Sequence, residues 1–150
     1  MPHEHDPRTY TIIGAAMEVH RMLGPGYLEA VYQRAMAIEL RHRGVGCRRE
    51  VAFELSYKGE DVGDYRADLI CDNGVLVELK AHGGLNQFDE AQVIHYLRAT
   101  GLSTGLLINF GLPTLERRRF VLGQAWRKEI ELGDVGEIGG SRVTTPSAPP

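Results

Sequence analysis

The stretch that decides the fold is Asp68-Leu69-Ile70-Cys71-Asp72-Asn73-Gly74-Val75-Leu76-Val77-Glu78-Leu79-Lys80. Asn-Gly between two apolar runs predicts a β-hairpin, because a tight primed turn requires a positive φ. Residues 67–71 form one arm, residues 72–74 the turn, and residues 75–81 the other arm. Glu78 and Lys80 are two residues apart on a strand and therefore share a face, which Asp68 on the paired arm can approach. The opposite face of the second arm is uniformly apolar and is expected to be the core.

Two carboxylates and a lysine at a strand end indicate hard-cation chemistry. Magnesium prefers a few carboxylate oxygens and retains several water ligands. A lysine beside such a water can orient it and can stabilise charge on a phosphate. The alternative is an exposed hairpin whose charges are simply solvated, and the hairpin alone favours neither interpretation.

Length and composition bound the remaining possibilities. With 150 residues, of which 43% are hydrophobic and 25% charged, the chain is expected to form one globular domain. It has no apolar run as long as a membrane span, and its N-terminus does not resemble a signal peptide. Two cysteines, Cys47 and Cys71, do not suffice for a disulfide framework or a cysteine-rich metal site. These features predict a cytoplasmic protein without a membrane partner and without an iron–sulfur cluster.

The net charge of −3 does not indicate nucleic-acid binding, but the arginines are unevenly distributed. They form two clusters. The first consists of Arg41, Arg43, Arg48 and Arg49, and the second of Arg117, Arg118 and Arg119. Local basic patches matter more than net charge for phosphate contacts. For each single arginine, a solvated surface side chain remains the simpler interpretation.

Two helices are predicted at the N-terminus. Asp6-Pro7 is typical of an N-cap followed by proline, and predicts a helix over residues 8–23. Its predicted apolar stripe consists of Ile12, Ile13, Ala16, Met17 and Leu23. His20 falls on that stripe, where a buried structural histidine is a more common outcome than a site residue.

The second helix is predicted over residues 27–43, ending at Gly44. Its apolar positions are Leu28, Val31, Ala35 and Ile38, adjoined by a row of Glu29, Tyr32 and Met36. Glu29 lies near the inward side in the first turn, where the helix dipole favours an ionised carboxylate. Simple stabilisation of the first turn by an exposed glutamate is the alternative.

The remaining chain predicts an antiparallel meander, a helix and two further strands. Strands are expected over residues 51–57 and 61–71, joined by a turn at residues 58–60 and followed by the arm described above. Asn86 caps a predicted helix over residues 87–100, on which Gln92 and Tyr96 are one turn apart. Residues 103–110 predict a buried strand parallel to the preceding one, and residues 117–122 an edge strand. A short helical turn is predicted over residues 123–131, and residues 132–150 are expected to be disordered.

Several separate motifs then narrow the interpretation. They are Gly26-x-x-Glu29-x-x-Tyr32, Tyr57-Lys58-Gly59, Arg66-Ala67-Asp68-Leu69, Val77-Glu78-Leu79-Lys80-Ala81, Gln92-x-x-x-Tyr96 and Leu107-Ile108-Asn109-Phe110-Gly111. In this order they resemble the GxxExxY protein family over roughly residues 12–122. Asp68 and Glu78-x-Lys80 also resemble the signature of the PD-(D/E)xK nuclease superfamily, with Ala67 in place of the proline.

The resemblance implies a restriction-endonuclease-like α/β domain over residues 6–128, with a mixed sheet containing an antiparallel meander flanked by helices. It also implies a place near nucleases of the RecB and lambda exonuclease type. By that likeness Asp68, Glu78 and Lys80 are the catalytic residues, and Glu29, Asp68 and Glu78 are the metal ligands. Mg²⁺ is the implied cofactor, for which Mn²⁺ could substitute. Gln92 and Tyr96 are the implied substrate-binding pair.

The sequence supports two alternative functions, which belong to different classes of protein. The first is a metal-dependent nuclease that hydrolyses phosphodiester bonds in DNA. The second is a nucleic-acid-binding or regulatory module that has this fold and cleaves nothing. The intact set of Asp68, Glu78 and Lys80 favours the enzyme. Homo-oligomerisation is compatible with the sequence, which does not specify it.

Overall fold

The computed structural model describes residues 6–123, which form three helices and five strands. The helices are α1 (Pro7–Leu23), α2 (Glu29–His42) and α3 (Gln87–Thr100). The strands are β1 (Cys47–Tyr57), β2 (Glu60–Cys71), β3 (Val75–Lys80), β4 (Thr104–Asn109) and β5 (Glu116–Val121). The predicted turn at residues 123–131 and the predicted tail at residues 132–150 lie outside the described residues. The predicted domain boundary at residue 128 stays a prediction for the same reason.

The five strands form one mixed sheet in the order β1-β2-β3-β4-β5. β1, β2 and β3 pair antiparallel, β3 and β4 pair parallel across α3, and β5 pairs antiparallel with β4 at the edge. This confirms the predicted α/β architecture, with its antiparallel meander, crossover helix and final edge strand.

The helices cover both faces of the sheet. Val75, Val77 and Leu79 of β3 pack in a core cluster with residues of α1 and α2. Leu76 packs in a second cluster with Val93 and other residues of α3. The side of β3 that carries Glu78 is therefore covered by a helix at its centre. It opens only towards the end of the strand, where Lys80 is partly exposed.

Local sequence signals position the helices much as expected. The Asp6 side chain accepts a 2.9 Å hydrogen bond from the Arg8 amide at the start of α1. At the start of α3, Asn86 and Asp89 form a reciprocal capping box, and Gly101 ends the helix in a left-handed conformation. These caps satisfy amide groups that would otherwise lack partners at the helix ends.

The β2–β3 hairpin turns at the predicted residues, but the predicted primed turn is wrong. Of the turn residues 72–74, only Gly74 has a positive φ, of 87°. Its amide donates to the Cys71 carbonyl at 2.9 Å, which gives a three-residue loop with a left-handed glycine. The two consecutive positive φ angles of a primed turn occur instead at Lys58 (51°) and Gly59 (82°), between β1 and β2.

The predicted apolar stripes of the first two helices were partly wrong. Met17 of α1 is 56% exposed, while Ala15 and Val19 join the core. Of the apolar positions expected for the second helix, Leu28, Val31 and Ile38 are 80%, 39% and 50% exposed. The buried row consists of Tyr32, Met36 and Leu40. In this inward row, Tyr32 stacks on Phe110, the residue that directly follows β4, with ring centroids 4.6 Å apart.

Two further sequence expectations concern membranes and cysteines. Within residues 6–123, no helix is both long and apolar enough to cross a bilayer. Cys47 and Cys71 are paired in register across β1 and β2, and both are free thiols.

Candidate active site

Asp68 and Glu78 lie side by side on β2 and β3 and are fixed by backbone amides. The Asp68 amide donates to Oε1 of Glu78 at 2.9 Å. In return, the Leu79 amide donates to Oδ2 of Asp68 at 2.9 Å. Each carboxylate thus contacts the strand that carries the other one. The predicted approach of Asp68 to Glu78 is present, and it is set by strand pairing.

The carboxylate pair is electrostatically strained. Glu78 is only 3% exposed. Burial, reinforced by the neighbouring negative charge of Asp68, raises the pKa of Glu78 to about 9. The positive charge of Lys80 acts in the opposite direction, but it does not offset the burial. Nearby positive charge is thus too weak to keep both carboxyl groups ionised. A bound cation would stabilise the ionised form of both.

Helix α2 brings two side chains to the same place. The Gln33 amide nitrogen donates to Oδ1 of Asp68 at 3.2 Å, and this side chain is buried. Glu29 precedes Gln33 by one helical turn and therefore lies on the same face. Although Glu29 is exposed, partial desolvation raises its pKa, and the charges of Lys80, Asp68, His82 and Asp89 act on it. Glu29 thus lies at the rim of the carboxylate pair.

Tyr32, the last residue of the Gly-x-x-Glu-x-x-Tyr motif, has a structural role. It is fully buried, and its hydroxyl donates to the Gly24 carbonyl at 2.6 Å. The same oxygen accepts the Tyr27 amide at 3.2 Å. These contacts fix the connection between α1 and α2, and so fix where α2 begins. Glu29, the first residue of α2, directly follows this connection.

Lys80, Gln92 and Tyr96 form a hydrogen-bonded chain between β3 and α3. The Lys80 ammonium donates to Oε1 of Gln92 at 2.7 Å. Nε2 of Gln92 donates to the Tyr96 hydroxyl at 2.9 Å. Burial, with the charge of Glu78 adding to it, raises the pKa of Tyr96 to about 12, so the phenol keeps its proton at neutral pH. The structure therefore brings Gln92 and Tyr96 next to Lys80 and into the field of Glu78.

Sequence reasoning missed two polar residues beside Lys80. Oδ2 of Asp89 lies 2.9 Å from Nε2 of His82, and Oδ1 lies 3.9 Å from the Lys80 ammonium. Asp89 lies in the first turn of α3 and is only 8% exposed. A weak signal for its role was available: a capping-box carboxylate points back towards the loop that precedes the helix, and this loop starts from Lys80.

The loop that carries His82 is tied to the last two strands. The Asn109 side chain accepts the His82 amide at 3.1 Å and donates to the His82 carbonyl at 3.0 Å. Glu116 accepts the Asn109 amide nitrogen at 2.9 Å and the Leu85 backbone amide at 3.0 Å. These hydrogen bonds fix the path of the chain after Lys80. The His20 side chain contacts a different segment, with its Nε2 2.8 Å from the Leu112 carbonyl oxygen.

The donor set limits how a metal could be held. Within residues 6–123, no group of three or more His, Cys, Asp or Glu side chains is arranged to hold a metal ion. The predicted set of metal ligands, Glu29, Asp68 and Glu78, stays a prediction. The pair Asp68 and Glu78 nevertheless suits a hard divalent ion that completes its coordination with a backbone carbonyl and water. The deficit of positive charge at Glu78 favours such an ion.

The two arginine clusters are partly united by the fold. Arg43, Arg117, Arg118 and Arg119 line a groove of about 800 Å³ against α1. Ion pairs hold two of them, Arg43 with Glu39 at 3.6 Å and Arg118 with Glu90. The groove is lined by none of the candidate site residues, and it is a separate feature of the surface.

Comparison with known proteins agrees with this geometry. The crystal structure of a protein designated SSO0001 is similar in fold, with a TM-score of 0.51 and 17% sequence identity over 91% of this chain and 73% of that one. No curated protein matches the sequence significantly. The profile of the PD-(D/E)XK nuclease superfamily matches residues 6–120, a span that contains every candidate residue described above. A mixed sheet that pairs Asp68 with Glu78-x-Lys80, together with this match, shows that the chain belongs to the PD-(D/E)XK nuclease superfamily.

Proposed function

We propose that the protein is a divalent-metal-dependent nuclease that hydrolyses phosphodiester bonds in DNA. The observation that carries the proposal is the buried Asp68–Glu78 pair, which shares its end of the sheet with a lysine held by α3. Membership of a nuclease superfamily supports the reaction class. The Gly-x-x-Glu-x-x-Tyr and Gln-x-x-x-Tyr motifs support a finer placement, among GxxExxY proteins related to RecB and lambda exonuclease.

Asp68 and Glu78, with the Leu79 carbonyl, are the groups that would hold Mg²⁺ or Mn²⁺. When bound, the ion supplies Lewis-acid stabilisation of the charge that develops on phosphate oxygens. Ionised Glu78 is required for such binding, so the cation and the Glu78 proton compete for one carboxylate. Glu29 at the rim is suited to accept a hydrogen bond from a water near the pair.

Lys80 is the residue suited to act on the attacking water and the scissile phosphate. Its ammonium is compact and has three donors, of which Gln92 takes one. The remaining donors can orient a water for in-line displacement and can stabilise a phosphate oxygen. Gln92 and Tyr96 hold Lys80 in place and present a phenol hydrogen to the substrate.

Digestion of plasmid and single-stranded oligonucleotide DNA, with Mg²⁺, with Mn²⁺ and with EDTA, tests the proposal. Cleavage with either metal, its loss in EDTA and its loss in Glu78→Gln are expected. A preparation of folded wild-type protein that binds DNA and cleaves none of these substrates would contradict the nuclease assignment. That result would favour the binding or regulatory module instead.

A further inference from the structure

A pocket of about 380 Å³ opens between the β1–β2 hairpin and α3. Its lining is mostly aromatic and apolar, with polar groups contributed by α3. The lining residues are Phe53, Leu55, Tyr65, Gln92, His95, Tyr96, Arg98 and Ala99. This volume is near the lower end of small-ligand sites, roughly 300–1,000 Å³. The pocket is suited to one flat group of modest size.

Three aromatic rings form one wall of this pocket. Phe53 and Tyr96 meet edge to face, with centroids 5.0 Å apart, and both are almost fully buried. Tyr65 lies opposite Phe53 in the strand register, with its ring nearly parallel at 6.0 Å. Unlike the other two rings, Tyr65 is 40% exposed. Tyr65 therefore offers an aromatic surface to a ligand, supported from behind by two fixed rings.

The pocket is continuous with the candidate active site through two shared residues. Gln92 and Tyr96 line the pocket and also belong to the chain that holds Lys80. A hydroxyl that accepts one hydrogen bond can still donate its own hydrogen, so Tyr96 can contact a ligand that reaches both places. A group bound in the pocket is thus part of the molecule presented to Lys80.

We propose that this pocket binds an unpaired nucleobase of the DNA strand, stacked on Tyr65, next to the phosphate presented to Lys80. The proposal rests on the proposed nuclease function and deepens it by naming the substrate class. Bases stack on aromatic side chains whatever their identity, because every base has a π-face. The Gln92 amide and the His95 imidazole at the pocket supply groups that can hydrogen-bond to a base edge.

The pocket implies a preference for single-stranded DNA or for unpaired ends. A base within a duplex is stacked and paired, and it enters a side pocket only after unstacking, at a cost in free energy. A base in a single strand does not have to break a base pair. The preference is therefore built into the shape of the β1–β2 hairpin against α3, independently of the metal-binding carboxylates.

The test measures binding of a labelled single-stranded DNA and of the matching blunt duplex, with Ca²⁺ in place of Mg²⁺. Tyr65→Ala and Tyr65→Leu should weaken single-strand binding by roughly 5- to 100-fold, the range expected for the loss of one stacked base. Tyr65→Trp should retain it. Duplex binding should change little in any of them. Tyr57→Ala is the matched control, because Tyr57 is an exposed tyrosine on the same hairpin that does not line the pocket.

Thermal unfolding of each variant separates loss of the ring from loss of folding, and Tyr65→Leu preserves apolar volume if Tyr65→Ala is unstable. Equal binding by Tyr65→Leu and Tyr57→Ala would overturn the proposal, as would wild-type protein that prefers the duplex. Absence of cleavage with retained Tyr65-dependent binding would contradict the nuclease function and leave the base pocket standing. Cleavage that is unaffected in every Tyr65 variant, with unchanged binding, would overturn the pocket alone.

Discussion

The backbone amide of Asp68 donates a 2.9 Å hydrogen bond to the carboxylate of Glu78, its neighbour across the sheet. The hairpin thereby places two carboxyl groups together, and backbone hydrogen bonds hold them in position. Such an arrangement is unfavourable by itself, since burial and mutual repulsion both oppose ionisation. It becomes favourable when a cation binds, and several predictions depend on this property.

Replacing either carboxylate by its amide should remove divalent-cation binding without unfolding the domain. In Glu78→Gln the side-chain oxygen can still accept the Asp68 amide, but the molecule loses a charge and an anionic ligand. Mn²⁺ affinity measured by calorimetry should fall by more than about tenfold in Glu78→Gln and in Asp68→Asn. Glu54→Gln, an exposed glutamate on β1, is the control. Unchanged Mn²⁺ affinity in both site variants would remove the metal-site assignment.

Stability without metal should fall as pH rises. The pKa of Glu78 is about 9 in the folded protein and near 4.5 when unperturbed. Between these values the unfolded chain has released this proton and the folded chain still holds it, so stability decreases with increasing pH. Urea unfolding in EDTA at pH 5 and pH 8 should show this loss for wild type. Glu78→Gln should lose less and be more stable at pH 8, by on the order of a few kcal/mol. If wild type and Glu78→Gln lose the same free energy of unfolding between pH 5 and pH 8, Glu78 is not the buried ionisable group.

Gln33 should affect metal affinity through Asp68, which it contacts at 3.2 Å. Gln33→Met keeps an unbranched side chain of similar length and removes the hydrogen bond. Loss of a partner that orients a ligand typically lowers metal affinity by about 10- to 100-fold. Calorimetry with Mn²⁺ checks this, with Gln87→Met as control because Gln87 is an exposed glutamine of α3. If Gln33→Met binds Mn²⁺ as tightly as the control, Gln33 serves packing alone.

Tyr32 should matter for stability and little for chemistry. Tyr32→Phe removes the hydroxyl, so the partly buried Gly24 carbonyl loses its donor and the Tyr27 amide loses its acceptor. A loss of about 1–3 kcal/mol in the free energy of unfolding is expected, with cleavage per folded molecule nearly unchanged. Chemical denaturation and a nuclease assay check the two parts, and Tyr57→Phe is the exposed control. Reduced cleavage at full stability would instead place Tyr32 in the active site.

The sequence predicted the sheet and its order because each strand carries its own local signal. The period-two pattern, the apolar run at 103–110 and the capping residues Asp6 and Asn86 are properties of short segments. The three candidate site residues on the hairpin could also be found from the sequence, since Asp68, Glu78 and Lys80 lie within 13 residues. Register across one turn was enough to bring them together.

The errors concern relationships between distant segments. Which row of α2 faces inward depends on the stacking of Tyr32 on Phe110, 78 residues away in the sequence. The roles of Gln33 and Asp89 depend on where α2 and α3 pack against the hairpin. Helix periodicity identifies the candidate faces of a helix, but the sheet selects between them. Gln33 and Asp89 therefore had no signal strong enough to assign them to the site.

Lys80 should affect turnover rather than metal binding. An ammonium does not coordinate a cation, so Lys80→Ala should leave Mn²⁺ affinity intact or slightly higher once a nearby positive charge is removed. Turnover should fall by about two to four decades, or roughly 3–5 kcal/mol at about 1.4 kcal/mol per tenfold. Lys80→Arg should not restore it, because a planar guanidinium cannot take the place of the compact ammonium that donates to Gln92.

Single-turnover cleavage of a labelled oligonucleotide, beside a Mn²⁺ titration of the same preparation, separates the two effects of Lys80. Lys58→Asn is the control, since Lys58 lies in the exposed β1–β2 turn with a positive φ that asparagine tolerates. A lower Mn²⁺ affinity in Lys80→Ala would mean that the ammonium organises the carboxylates rather than the reaction. Wild-type cleavage rates in Lys80→Ala would exclude a catalytic role, because the 2.7 Å contact with Gln92 would then only join β3 to α3.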